Sequence, residues 1–175
     1  MSSNVGDQAS LSFAAYAVLA AGRTIDQIGN LEAQGFTAMQ ARAFAKRYPT
    51  VVDSFDDQSS GFQVAVFKDS LDDAPGNISI AFRGTQLPED VPTALDIVGA
   101  GCAYAQVVSM VNWWLAASTP AGQGQMAVQY RLASYAIGNV PENAVVLRED
   151  GATAFVLEAA PSILATGVLA AALNA

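Results

Sequence analysis

Between Ile97 and Tyr130 the chain carries no Asp, Glu, Lys, Arg or His. A run of that length without charge has few stable fates: it crosses a bilayer, or it lies against other protein. Its details favour the second. Gln106, Ser109 and Asn112 recur at three-residue spacing, which lays a polar stripe along a helix. Pro120 and two glycines follow, and no Lys or Arg brackets the run to anchor it at lipid headgroups. The expectation is a helix from Tyr104 to Ala117, buried beneath an apolar site or covering it, and no transmembrane span.

The remaining composition narrows the function. With 175 residues, 52% of them hydrophobic and 14% charged, the chain suits a single domain or fragment with a real core. A net charge of −8, with eight Lys and Arg scattered along the sequence, argues against nucleic acid and against electrostatic docking on anionic lipid. There is no histidine, so no complete Ser-His-Asp triad and no His metal site can be made from this chain alone. One cysteine, Cys102, lies in the apolar run and reads as a small buried hydrophobe. The phosphate loop, the dinucleotide fingerprint, the zincin motif and the EF-hand loop are all missing. Asp56-Asp57 and Asp72-Asp73 fall in turn-like stretches and read as solvated turn residues. The N-terminus lacks a positive n-region, so any secretion or delivery is expected to proceed without a signal peptide.

Four regions emerge along the chain. Residues 1–49 read as a helical cap: a helix from Ser12 to Ala21 ending at Gly22, then two helices opened by the capping boxes Thr24/Gln27 and Thr37/Gln40. These would stop near Gly35 and Pro49. In the last of them Ala41, Phe44 and Ala45 face inward while Arg42, Lys46 and Arg47 face water. Residues 50–86 hold "TVVDSF", the alternating "GFQVAVFKD" and "NISIAFRGT", with adjacent antiparallel strands joined at Pro75-Gly76-Asn77. Residues 87–140 read as apolar helices, including a helical turn from Thr93 to Ile97 and a helix from Gln125 to Ile137 with Met126, Tyr130 and Ala133 on one side. Residues 141–175 read as two short strands around Asp150-Gly151, then an apolar terminal segment.

One motif invites chemistry. "ISIAFRGT" runs a strand straight into Arg83-Gly84-Thr85, and with "FTAMQARAFAKRYPTVVDSFDDQSSGFQVAVFKD" before it and "DVPTALDIVGAGCAYAQVVSMVNWW" after it, the chain resembles bacterial lipases of the α/β-hydrolase superfamily over roughly residues 12–135. The resemblance extends to RTX-type and effector-type phospholipases and, more weakly, to class 3 lipases. It implies an α/β class, a partial α/β-hydrolase fold with a helical cap, early sheet strands and lid-like apolar helices. It further implies that the Thr85 N–H is an oxyanion-hole donor, that Gly84 permits the tight loop, and that Arg83 and Asp96 hold that loop. Val107, Val108, Val111, Trp113 and Trp114 would line or cover an acyl-chain pocket.

The sequence also departs from that family. No Gly-x-Ser-x-Gly nucleophile elbow is present. The chain therefore looks like the N-terminal part of a carboxylic-ester hydrolase, inactive alone, whose partners are a lipid or ester substrate and the remaining C-terminal part of the enzyme. No cofactor is expected in this chain, any calcium being left to the parent protein. The alternative is a non-catalytic interaction module derived from the same fold.

Overall fold

The computed structural model describes residues 5–71, 74–83 and 103–174. It is a mixed α/β chain of two antiparallel sheets with helices, divided into two compact units. The first comprises residues 1–85 and 171–175; the second comprises residues 86–170.

The first unit starts with helix α1, Val5–Ala14. The helix expected from Ser12 to Ala21 thus lies earlier, and the reason is competition for the backbone. The Gln27 side chain accepts from the Ala20 N–H at 2.7 Å and donates to the Ala20 carbonyl at 2.8 Å, while Asn30 donates to the Val18 carbonyl at 2.7 Å. Backbone groups held by side chains in this way are not available to a helical ladder. The expected Thr24/Gln27 capping box fails for the same reason. Thr24–Gln27 is a 3-10 turn without side-chain capping, and the buried Thr24 hydroxyl donates instead to the Tyr48 carbonyl at 2.6 Å.

The rest of the expected helical cap forms. Helix α2, Ile28–Ala33, gives way at Gly35, whose φ of +111° suits a residue without Cβ. Helix α3, Ala38–Arg47, opens on a complete Thr37/Gln40 capping box. It buries Ala41, Phe44 and Ala45 and exposes Arg42, Lys46 and Arg47.

The strands β1 (Gly22–Arg23), β2 (Thr50–Asp57), β3 (Phe62–Lys68) and β4 (Ile78–Phe82) form one antiparallel sheet in that order. Strand β3 is buried at every position, so its apolar alternation describes two covered faces rather than one. Aromatic rings carry the core from helix to sheet: Phe13, Phe36, Phe44 and Phe67 follow one another at centroid separations of 5.0, 5.7 and 5.2 Å.

The second unit holds helix α4, Tyr104–Ser118, and strands β5 (Met126–Ala136), β6 (Val145–Asp150) and β7 (Thr153–Leu164), ordered β5-β7-β6. The expected hairpin at Asp150-Gly151 joins β6 to β7. The helix expected over Gln125 to Ile137 is instead the strand β5. It makes ten residue pairings with β7, and the buried Ala127 and Gln129 flank a register shift. Its outer edge is closed by α4: Asn112 accepts from the Tyr130 N–H and donates to the Tyr130 carbonyl, both at 2.8 Å. One side-chain amide thus stands in for a neighbouring peptide. Helix α5, Val168–Asn174, is the last element described.

Candidate functional site

Strand β4 runs alongside β3 with Val64 opposite Phe82 and Lys68 opposite Ile78. Its far end is shaped by an Asp-Ser turn. Asp57 accepts from the Ser59 N–H at 3.0 Å and from the Ser59 and Ser60 hydroxyls at 2.6 and 2.7 Å, which folds residues 57–61 back into β3. Asp57 thus has the turn role expected of the Asp56-Asp57 pair, although both residues end strand β2, where Asp56 pairs with Gln63.

Arg83 leaves the sheet over that turn. Its N–H donates to the Gln63 carbonyl at 3.0 Å, extending the ladder one residue past β4. Its guanidinium donates to Gln63 Oε1 at 3.1 Å and to the Gly61 carbonyl at 3.2 Å. Gln63 therefore holds Arg83 through both backbone and side chain, and Gly61 holds its side chain. Charge-assisted donors of this kind hold geometry more firmly than neutral ones. The sequence did carry a clue to Gln63, the one polar residue among the first six of β3, yet nothing local ties it to a residue twenty positions on.

Gly84, Thr85 and Asp96 lie outside the described residues, as do the turn expected from Thr93 to Ile97, the Asp72-Asp73 pair and Cys102. Of the four loop residues singled out in the sequence, Arg83 is the one with described geometry.

The apolar candidates on α4 do not share a face. Trp113 is buried and Val108 half-buried, whereas Val107, Val111 and Trp114 are exposed along positions i, i+4 and i+7. Ala116 and Ala117 are buried near Trp113 in sequence, which places that indole in packing. The polar stripe of Gln106, Ser109 and Asn112 is half-buried, and at Asn112 it meets the edge of β5.

A second polar cluster crosses from β5 to β7. Glu158 accepts from Arg131 Nε at 2.7 Å and from the Tyr135 hydroxyl at 2.8 Å. The Tyr135 hydroxyl, then Arg131, hold the Glu158 carboxyl below the usual carboxylate range, while the Glu158 carboxylate pushes the Tyr135 phenol up. A carboxylate stabilised in its charged form is a weak base, and a phenol held by it is a weak acid. The cluster is suited to pinning two strands rather than to moving protons.

Among the described residues no group of His, Cys, Asp or Glu is placed to hold a metal ion, and no helix is long and apolar enough to cross a membrane. No family model, no curated protein and no solved structure matches this chain.

Proposed function

We propose that this chain is the N-terminal part of a lipase-like carboxylic-ester hydrolase of the α/β-hydrolase type, contributing the loop after β4 as one wall of an oxyanion hole. The observation that carries the reading is the triple hold on Arg83 by Gln63 and Gly61. In acyl transfer, negative charge develops on the former carbonyl oxygen, and a backbone N–H stabilises it only if its position is fixed before the reaction. A strand end clamped at Arg83 supplies such a fixed point two residues before Thr85. In this reading Thr85 donates its N–H, Gly84 permits the tight loop, and Arg83 and Asp96 are supporting residues. The nucleophile, acid and histidine come from further polypeptide.

A second reading, a non-catalytic interaction module, is favoured by the exposed Val107, Val111 and Trp114 on α4. The two readings separate by experiment. The purified 175-residue chain is expected to leave a chromogenic ester uncleaved and to take up no fluorophosphonate on any serine. In an enzyme joining this chain to a Gly-x-Ser-x-Gly segment, Arg83→Gln is expected to lower kcat with KM nearly unchanged. Turnover or serine labelling by the chain alone overturns the reading, and so does a full-length gene product that lacks the elbow.

A further inference from the structure

The eight Lys and Arg residues look scattered in the sequence, but three of them converge in the folded first unit. Arg42 and Lys46, four apart on α3, and Arg23, in β1, rim an open groove of about 330 Å³. Its floor is apolar, made by Ala45 and Pro49, and its walls are Ile25 and Leu71. Ile25 and Leu71 stand 46% and 44% exposed, so two large apolar side chains face solvent directly beside the three cations.

Two features set this groove apart from an ordinary solvated helix face. Like charges four apart on a helix repel, and bringing a third cation beside them adds to that repulsion. No carboxylate among the described residues lines the groove, although acidic residues outnumber basic ones sixteen to eight in the chain. Nor do the side chains of Arg23, Arg42 and Lys46 make an ion pair or hydrogen bond among the described residues. The neighbouring Arg47 differs: it pairs with Asp69 at 3.6 Å and lies over the Tyr48 ring.

We propose that this groove binds a single-chain amphipathic carboxylate of medium length, its head at the Arg42/Lys46/Arg23 rim and its tail along Ile25, Ala45, Pro49 and Leu71. Charge complementarity chooses an anion, and the apolar floor chooses one with a hydrocarbon body. The volume is near the lower end for small-molecule sites, which suits one short chain rather than a two-chain lipid. The groove shares no lining residue with Arg83, Gln63 or Gly61 and does not depend on the hydrolase reading.

The test is calorimetric titration of the 175-residue chain with decanoate below its micelle concentration, beside decanol and decyltrimethylammonium. Saturable one-to-one binding of decanoate alone is expected, weakening as salt rises. The double variant R42Q/K46Q is expected to weaken it about tenfold, two screened ion pairs' worth, with its circular dichroism and melting temperature retained. Leu71→Asn, on the apolar wall, is expected to weaken decanoate by a similar factor while leaving the charge of the rim unchanged. Equal binding of all three ligands, no saturable binding, or an unchanged affinity in a folded R42Q/K46Q overturns the proposal. So does capture of the chain by phosphatidylglycerol vesicles without binding of monomeric decanoate, which assigns the groove to a membrane surface.

Discussion

Replacing Asn112 with alanine removes the two 2.8 Å hydrogen bonds by which α4 closes the edge of β5. Each neutral bond is worth about 0.5–1.5 kcal/mol net, and the two Tyr130 backbone groups are left to find water. Asn112 and Tyr130 are both half-buried, so water reaches part of the vacated site. A loss of about 2 kcal/mol results, which for a chain of this length lowers the melting temperature by roughly 4–8 °C. The contrasting substitution is Asn30→Ala, which removes one exposed bond to the Val18 carbonyl and is expected to cost about 0.5 kcal/mol. Asn112→Asp sharpens the argument. A carboxylate there still accepts from the Tyr130 N–H but faces the Tyr130 carbonyl with like partial charge, so the folded state favours the protonated acid and its pKa rises. The contribution of this group to stability is therefore fully present below the unfolded carboxyl value of about 3.9 and is lost as pH rises through the higher folded value. Urea unfolding followed by circular dichroism measures the stability, and amide hydrogen exchange at Tyr130 measures the local opening. An N112A chain within about 0.5 kcal/mol of the parent, with Tyr130 protection intact, refutes the idea that this amide closes the edge.

Further outcomes follow from the same geometry. Thr37→Ala removes the capping-box hydroxyl of α3 and is expected to cost about 1 kcal/mol by chemical denaturation. Thr24→Val leaves the buried Tyr48 carbonyl without its hydroxyl donor and is expected to cost about 1–3 kcal/mol by the same measurement. At Gly167, whose φ is +65°, an added Cβ would collide with the Ala121 backbone, so Gly167→Ala should lower the melting temperature far more than Gly122→Ala, where the Cβ meets only Gln125 at 3.8 Å. Because the Glu158 pKa is depressed on folding, its contribution is present above the unfolded carboxyl value and fades as pH falls through the folded one. Glu158→Gln should flatten that acid limb in a pH series of melting temperatures.

Much of this fold could be read locally, and the exceptions share a cause. The box at Thr37 and Gln40, the stop at Gly35 and the turn at Asp150-Gly151 depend on residues within one turn of each other, and all three formed. Gln125 to Ile137 reads as a helix because Met126, Tyr130 and Ala133 match helical spacing, while the forces that make it a strand come from residues 153–164 and from Asn112. Thr24 and Gln27 carry the letters of a capping box, but Gln27 finds Ala20 and Thr24 finds Tyr48. At the candidate site, Arg83 was legible as a strand-end cation, whereas its partners Gln63 and Gly61 are set by the register of β3 against β4. The convergence of Arg23 with Arg42 and Lys46 was likewise invisible in one dimension, since β1 joins them only through the fold.

Both tryptophans of the protein, Trp113 and Trp114, belong to α4 and thus to the second unit. Indole emission, excited selectively, accordingly reports on α4, and the phenylalanine-rich first unit must be followed through its amides, because three of the five tyrosines also lie in the second unit. Red-shifting fluorescence alone would thus report the melting of one half of the molecule, and a comparison of the two optical channels reveals whether the halves come apart together or in sequence.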